Sequence, residues 1–293
     1  MSEGPYRKSV MLASGPREVP FGLRARLYHL NWMSITGWAE IAFGMVFVWV
    51  FAMQSDLSEL WAFDGKLERA PAVVIDSRAT AAKVNRSRVY STDYRFTVDG
   101  VEYRGRSYAR GGYRQAGARV EVEYPAGKPD HSRIVGMSTS LFGPWGTLAG
   151  LAPLPGLVFL MFGLRRGRRS VTLLRQGKVT DGKLVSRQGT SVRINGRMVY
   201  KLTFQFQADD GKTYYAEART HRTEVLTDEP TEQLVYHPSD PRFATLIDHL
   251  PGTPRINENG QIEPRTGFGT TLAIALPFLA TVPHLIVYLA LFV

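Results

Sequence analysis

Three long apolar segments, residues 33–53, 141–164 and 267–293, divide the chain. Glu40 is the one charged residue of the first segment, and the other two contain none, although the third contains His284. A helix needs about 20 apolar residues to cross the roughly 30 Å of hydrocarbon in a bilayer. Because each segment is long enough, the sequence predicts three transmembrane helices, with the lipid bilayer as the first partner of the chain.

The distribution of lysine and arginine around these segments predicts an orientation. Residues 1–32 form a basic tail, whereas acidic side chains follow the first apolar segment. Four arginines follow the second segment, and we expect them to contact lipid headgroups: Arg165, Arg166, Arg168 and Arg169. Basic loops stay in the cytoplasm. The N-terminus and residues 170–253 are therefore predicted inside, and residues 65–138 outside, as in a multi-pass membrane protein.

Prolines interrupt the second apolar segment at Pro153 and Pro155. Proline lacks a backbone N–H donor and disfavours helical structure in the residue before it. The favoured interpretation is a single kinked transmembrane helix. The alternative is a re-entrant hairpin, which would place both of the enclosed segments on one side of the membrane, with only about 10 residues in each arm.

The two segments between the apolar stretches are versions of one sequence. Tyr90 aligns with Tyr200 and Phe96 with Phe206, both at an offset of 110 residues. Later pairs have offsets of 111 and then 112, and they are Gly100 with Gly211, Tyr103 with Tyr214, Tyr124 with Tyr236, and Pro129 with Pro241. An offset that drifts by only two residues predicts a tandem duplication, with one repeat in residues 65–138 and the other in residues 170–253.

Each repeat alternates in polarity with a period of two, which is typical of half-buried β-strands. One predicted core face consists of Tyr90, Thr92, Tyr94, Phe96 and Val98, and the other of Tyr200, Leu202, Phe204, Phe206 and Ala208. Asp99-Gly100 and Asp210-Gly211 predict tight turns, because these residue types tolerate positive φ. The predicted fold class is membrane α + β, in which three transmembrane helices carry two repeated small antiparallel β-domains, barrel-like or sandwich-like.

This pattern of strands and turns resembles a known family. The motif Y-x-F precedes Asp-Gly, a tyrosine strand follows, and residues 120–124 run into a loop with two prolines, beside a membrane helix. In these features the chain is similar to the bacterial membrane proteins of domain of unknown function 3592, over both β segments. The resemblance implies a membrane-anchored β-domain and no activity. The second repeat departs from it, with Tyr-His-Pro at residues 236–238 in place of Tyr-Pro.

The sequence contains no recognised catalytic motif. It has no cysteine, its six histidines lack metal-ligand spacing, and no nucleophile elbow, zinc-protease motif or nucleotide-binding loop occurs. We therefore expect no catalytic residue, no metal site and no cofactor. Adjacent carboxylates occur at Asp209-Asp210 and Asp228-Glu229, and solvated loop charges are the better interpretation of both.

Two ionisable residues inside the apolar segments are the remaining candidates for a specific role. Glu40 and His284 are expected to make polar contacts within the membrane, because burying such groups in lipid is costly. Gly146 and Gly150, four residues apart, predict a close approach between helices. None of these residues forms a catalytic constellation with another.

The formal net charge of +10 is best interpreted as a solvated basic surface, with contact to an anionic membrane surface as the next alternative. Nucleic acid is disfavoured as a partner, because the tyrosines that would stack on bases are predicted to face the core. We expect an uncharacterised, non-enzymatic membrane protein that presents its two β-domains for protein or envelope interaction. Two alternatives remain: a transmembrane sensor or regulator that couples the two faces, and a subunit of a membrane enzyme or transport complex. A homo-oligomer is compatible with each.

Overall fold

Helices form in all three apolar segments. A computed structural model describes residues 12–223, 226–227, 230–250, 252 and 254–292; residues 1–11 of the predicted basic tail, Asp228-Glu229 and Val293 lie outside these ranges. The α-helices of the described residues are α1 (Phe21–His29), α2 (Trp32–Val50), α3 (Glu59–Ala62), α4 (Leu154–Gln176) and α5 (Phe268–Phe292). Short 3₁₀ helices occupy Ala52–Gln54 and Pro144–Leu151.

Three helical segments are long and apolar enough to cross a membrane, by length and composition. They are Trp32–Ala62, Pro144–Gln176 and Phe268–Leu291, with mean hydropathies of 1.7, 1.8 and 2.0. Only 17%, 11% and 11% of their most apolar stretches is buried inside the protein. Large exposed apolar surfaces mark contact with a membrane or a partner, and these helices therefore indicate membrane association.

The second segment differs from its prediction in its bounds. Ala152 keeps helical backbone angles (φ −55°, ψ −37°) between the 3₁₀ helix and α4. Pro155 sits in the first turn of α4, where its missing N–H has no intrahelical partner to lose. At the other end, α4 runs beyond residue 164 to Gln176, so that the following strands begin later than residue 170.

Ten strands form two antiparallel sheets in the described chain. The first sheet contains β1 (Leu67–Val84), β2 (Ser87–Val98), β3 (Val101–Arg110), β4 (Arg119–Pro125) and β5 (Arg133–Ile134), in the order β3-β2-β1-β4-β5. The second contains β6 (Lys178–Ile194), β7 (Arg197–Gln207), β8 (Thr213–Thr220), β9 (Glu232–His237) and β10 (Asp240–Leu246), in the order β8-β7-β6-β9-β10. The two orders are the same.

The sheets are open, so the barrel-like alternative predicted from the sequence is wrong. In the first sheet, β5 has only two residues, too few to pair along the length of β3. An isolated bridge between Tyr108 and Ser138 joins β3 to the chain that follows β5. The chain divides into two compact units, one made of residues up to Glu40 and from Pro155 onward, the other of Ile41–Leu154. Each unit contains one of the sheets.

The predicted alternation along the central strands is confirmed. Thr92, Tyr94 and Phe96 are buried on β2, whereas Arg95 and Thr97 are exposed. Strand β7 repeats this pattern, burying Leu202, Phe204 and Phe206 and exposing Gln205 and Gln207. The cores are completed by Ala70, Ala72, Val122, Tyr124, Ile134 and Met137 in the first sheet, and by Ala208, Ala216, Ala218, Leu226, Leu234, Tyr236 and Leu246 in the second.

Strands β1 and β6 are much longer than the sequence predicted. The sequence predicts strands only over residues 72–77 and 182–187. Each strand instead continues to a two-residue turn, at Asn85-Arg86 and at Asn195-Gly196, where all four residues have positive φ between 50° and 77°. These are the angles of the hairpin turns that match strand twist. Asp99-Gly100, at φ of 48° and 80°, forms the predicted turn between β2 and β3.

The two long hairpins also share their irregularities. In the first, the register shifts between Val74 and Asp76 and again between Ala79 and Lys83. In the second it shifts between Leu184 and Ser186 and between Gly189 and Arg193, which are the positions 110 residues later. Beside the second shift, a threonine hydroxyl donates to a carbonyl oxygen of the neighbouring strand, Thr80 to Val89 and Thr190 to Val199, each at 2.8 Å.

Candidate functional site at the membrane helices

Small residues allow α2 and α4 to approach closely. A Cβ atom added at Gly163 would lie 2.6 Å from the backbone nitrogen of Ser34, and one at Gly37 would lie 2.6 Å from that of Leu160. Both distances are far shorter than a real contact, so only glycine fits. Because residue 34 meets residue 163 and residue 37 meets residue 160, the two helices run antiparallel. Packing of this kind is what stabilises helix association in lipid.

A buried asparagine lies at the start of this interface. The side-chain amide of Asn31 donates to the carbonyl oxygen of Gly163 at 3.1 Å, to that of Tyr28 at 3.0 Å and to the hydroxyl of Ser34 at 2.9 Å. The Ser34 hydroxyl in turn donates to the Tyr28 carbonyl oxygen at 2.6 Å. Asn31 is 3% exposed and Ser34 fully buried. This network joins the end of α1, the start of α2 and the middle of α4.

The four arginines predicted to contact lipid headgroups lie on α4 and are all exposed. Within the described residues, none of them forms an ion pair. The guanidinium of Arg169 lies 5.8 Å from the ring centre of Phe243. Burial, and then the charge of Arg166, lower the pKa of His249 below its ordinary value. The buried face of the same helix consists of Gly163, Gly167, Ser170, Leu173 and Leu174, so the arginines are free to face a solvent or lipid boundary.

Exposed aromatic side chains lie at the starts of three helices. Phe21, Trp32 and Phe268 are 64%, 57% and 82% exposed, and they lie at the starts of α1, α2 and α5. The Trp32 ring packs edge-on against Phe159, with 6.2 Å between ring centres. Aromatic residues of this type accumulate at the boundary between lipid and water.

The segment before α1 caps the end of α4. The Arg17 guanidinium donates to the carbonyl oxygen of Leu174 at 2.9 Å and to that of Gly177 at 2.8 Å. Its backbone N–H donates to the Arg175 carbonyl at 2.8 Å. The last carbonyls of a helix lack intrahelical donors and carry partial negative charge. Arg17 therefore satisfies these groups, although burial lowers its own pKa.

A buried charge cluster ties α3 to the first sheet. The guanidinium of Arg133 donates to Glu123 at 2.8 Å and to Glu59 at 3.0 Å, and it lies 4.0 Å from the ring centre of Phe63. The side chains of Glu59 and Glu123 are only 7% and 8% exposed. The Ser138 hydroxyl donates to the second oxygen of Glu59 at 2.8 Å. Since α3 follows the first membrane segment, this cluster fixes the sheet to that segment.

The predicted intramembrane groups lie apart from the Asn31 network. Glu40 is exposed on α2, and His284 is half-buried on α5, one residue after Pro283. The predicted close approach at Gly146 is found, because an added Cβ there would overlap Ser55, whereas at Gly150 it would make an ordinary 3.8 Å contact with Ala52. Asn31 and Ser34, which lie at the edge of the first apolar segment, were not predicted from the sequence. The sequence feature that could have indicated them is a run of small or polar residues spaced three or four positions apart.

No described group of side chains has the geometry of a catalytic or metal site. Three or more potential metal-ligating side chains do not gather anywhere in the described chain. Asp209 pairs with Lys178 and accepts a hydrogen bond from the Tyr236 hydroxyl at 2.7 Å, while Asp210 accepts one from Tyr214 at 2.8 Å. Burial, and then the bond to Asp209, raise the pKa of Tyr236 to about 12. These aspartates act within the turn, as the sequence predicted.

An open hollow of about 620 Å³ lies beside the Arg17 cap. Its charged lining consists of Arg17, Lys178 and Asp209. The first is bound to helix carbonyls and the other two are paired with each other. The described lining therefore offers no uncompensated charge for a ligand.

Comparison with solved structures finds chains that match this one. Six chains match, among them one in a structure of a Replication Protein A heterotrimer bound to ssDNA. That match has a TM-score of 0.16 and 11% sequence identity, and it covers 59% of this chain but only 44% of the other. With so low a score it supports no statement about fold or ligand.

Comparison with protein families is informative for the first sheet. No curated protein matches the chain. Residues 70–138 match the family model described as Domain of unknown function (DUF3592). The matched residues contain most of β1 and all of β2–β5. The resemblance predicted from the sequence is thus supported over residues 70–138, the part of the chain that matches this family model.

Proposed function

We propose that this chain is a non-enzymatic, multi-pass membrane protein that presents two β-modules for interaction with other membrane or envelope proteins. The observation that carries the proposal is the pair of sheets with one strand order, each attached to a helix apolar enough to span a membrane. The described residues of the two modules contain no group of three or more potential metal-ligating side chains. A bacterial inner membrane, as the family resemblance implies, is the proposed location.

The two modules arose, on this proposal, by tandem duplication. The shared strand order supports it. Two register shifts and one threonine contact of the first hairpin also recur in the second, 110 residues later. Bulges are conserved features of a fold rather than defects. Their recurrence at one fixed offset is more specific than the shared topology alone.

The proposed topology places the N-terminus in the cytoplasm. The antiparallel contacts between α2 and α4, at Ser34 with Gly163 and at Gly37 with Leu160, support two successive crossings in opposite directions. On this basis residues 67–138 lie outside, and residues 178–250 share the N-terminal side. The arginines Arg165, Arg166, Arg168 and Arg169 would contact headgroups on that side, in keeping with the rule for basic loops.

Single-cysteine labelling tests this topology, because the chain contains no cysteine of its own. The variants Arg88→Cys and Met198→Cys place one thiol at equivalent exposed positions of the two hairpins. In sealed, oriented vesicles we expect a membrane-impermeant maleimide to label one variant at once and the other only after permeabilisation. Equal labelling of both variants in intact vesicles would contradict the topology.

Site-specific photo-crosslinking tests the interaction role. A photoreactive amino acid in place of Arg95 or Gln205 lies on the exposed face of β2 or β7, at equivalent positions. We expect each position to give discrete protein crosslinks that differ between the two modules. Crosslinks to lipid alone would argue against protein partners. A reproducible enzymatic activity that one polar substitution abolishes would overturn the non-enzymatic assignment.

One observation favours a second candidate, a sensor that couples the two faces of the membrane. The cluster of Glu59, Arg133 and Glu123 joins the first sheet to α3 through buried charges. A rigid joint of this type transmits a displacement of the sheet to the membrane segment. The test is the labelling rate of Met198→Cys with and without an antibody fragment bound to the first sheet. An unchanged rate would reject coupling.

A further inference from the structure

The β6–β7 hairpin ends in an exposed apolar tip. All residues from 191 to 198 are exposed, and Val192, Ile194 and Met198 are 55%, 43% and 38% exposed. The β1–β2 hairpin differs at the equivalent place, where Arg88 replaces Met198 and Val84, in place of Ile194, is half-buried. The shared fold therefore does not require these apolar side chains. Exposed apolar residues on one copy alone indicate contact with something outside the module.

Beyond Asp181, the same hairpin contains basic side chains and no acidic ones. Residues 182–208 contain five basic side chains, Lys183, Arg187, Arg193, Arg197 and Lys201, and no aspartate or glutamate. Lys201 pairs with Glu217 of β8, at 2.7 Å. In the first sheet, by contrast, Asp93 lies within the hairpin and binds Arg106 and Arg78.

We infer that the tip of the β6–β7 hairpin, Val192–Met198, inserts into the headgroup layer of an anionic lipid bilayer, the same bilayer that the chain spans. Apolar side chains flanked by arginine suit the boundary between acyl chains and acidic headgroups, where both kinds of contact contribute to binding. Two like-charged hairpins would repel each other, which disfavours a second copy of the chain as the occupant. The inference goes beyond the proposed interaction role and does not depend on it.

The connection to α4 explains why the chain's own bilayer is the favoured surface. Strand β6 begins at Lys178, two residues after α4 ends at Gln176. This short connection keeps the base of the hairpin beside the membrane segment. The 17 residues of β6 allow the tip to lie at most about 56 Å from that base, so a hairpin inclined towards the bilayer can reach its surface. No such connection favours another membrane.

Fluorescence of a single dye tests the inference. An environment-sensitive dye is attached to the thiol of Ile194→Cys in the full-length protein, reconstituted at low protein-to-lipid ratio. In vesicles with anionic lipid we expect a blue-shifted emission and quenching by nitroxide-labelled lipid, both reversed by high salt. The additional substitution Arg193→Glu changes the charge by two units and should weaken the partition on the order of tenfold. In zwitterionic vesicles the dye should remain in water.

The matched control is Val84→Cys, which carries the dye at the position just before the turn of the other hairpin. It should show no quenching under any condition. The inference is overturned if the dye at position 194 stays aqueous with anionic lipid, or if it is quenched equally in zwitterionic vesicles. A blue shift in lipid-free detergent that rises with protein concentration would indicate self-association, and a response to added nucleic acid alone would indicate a different partner. Either result also overturns the inference.

Discussion

At the scale of single residues, glycine decides how closely two elements approach. A side chain at Gly163 collides with the backbone of α2 at Ser34, which cannot rotate away. At Gly150, the nearest atom to an added Cβ is the Cβ of Ala52, at an ordinary distance of 3.8 Å. The two glycines are equally conspicuous in the sequence, and the structure shows that their constraints differ.

We therefore predict that Gly163→Val separates α2 from α4 and exposes the Asn31 amide. Loss of its buried hydrogen bonds should cost about 0.6–1.7 kcal/mol, in addition to the loss of packing. The melting temperature of the detergent-solubilised protein measures the effect. Gly150→Ala is the matched control and should melt within a few degrees of the parent protein. Equal destabilisation by the two variants would contradict this account of the interface.

Gly105 offers a second test of how glycine permits close packing, because it lies opposite Tyr94 in the first sheet. An added Cβ would come within 2.8 Å of the tyrosine ring. The second sheet has Phe204 opposite Ala216 at the equivalent place. We predict that Gly105→Ala costs about 1–3 kcal/mol through overpacking, and that combining it with Tyr94→Phe restores part of that loss. Denaturant unfolding of the four proteins in a double-mutant cycle measures the coupling, and strictly additive effects would contradict it.

At the scale of elements, the two sheets attach to their helices by the same strand pair but with different chemistry. In the first sheet, Glu123 and Arg133 pair across β4 and β5, and Arg133 also binds Glu59. In the second, Val235 occupies the equivalent place on β9 and packs with Leu173 of α4. One attachment is ionic and the other apolar.

Removing the cation of the ionic attachment leaves two buried carboxylates unpaired. We predict that Arg133→Met costs about 3–5 kcal/mol, as for other broken buried ion pairs. Faster hydrogen exchange in α3 measures the release of that helix. The control is Arg69→Met, whose ion pair with Glu121 is more than half exposed and should be worth at most about 1 kcal/mol. Unchanged exchange in α3 after the Arg133 substitution would show that the cluster does not fix the sheet.

The charges on the outer face of β2 give a pH dependence. Hydrogen bonding to Arg106 lowers the pKa of Asp93 below its ordinary value of 3.8. A depressed folded pKa means that the stabilisation is present above the unfolded value and is lost as the pH falls through the folded value. We predict that the stability difference between the parent and Asp93→Asn is constant near neutrality and shrinks below about pH 4. Melting curves of both proteins across this range measure it.

Local patterns predicted part of each element. The period of two on β2 and β7 predicted their buried faces, and Asp99-Gly100 predicted a turn, because both signals depend on neighbouring residues. Asn195-Gly196 is an equally strong hairpin signal, and attention to it would have predicted the full length of β6. The open edge of the first sheet follows from the brevity of β5, which no local pattern indicates. The Asn31 network joins residues 132 positions apart in the chain, so the sequence alone could not show it.

At the scale of the whole molecule, the arginines that end the second membrane segment should set its direction. We predict that replacing Arg165, Arg166, Arg168 and Arg169 by glutamine mixes the orientation of the chain, because basic residues near a span determine which end stays inside. Labelling of Met198→Cys in oriented vesicles measures it, as a fraction that becomes accessible from both sides. Removing four exposed arginines from the first sheet is the control and should leave the orientation intact.

The Arg17 cap also has a consequence for the order in which the protein is completed. Its acceptors lie 157 and 160 residues later in the chain. At a synthesis rate of about 5–20 residues per second, the ribosome needs roughly 8–30 s to make them. Throughout that interval the carbonyl groups that Arg17 binds do not yet exist, and the amino-terminal segment is accessible to chaperones or the insertion machinery. Synthesis of the end of α4 thus determines when the amino-terminal segment can dock.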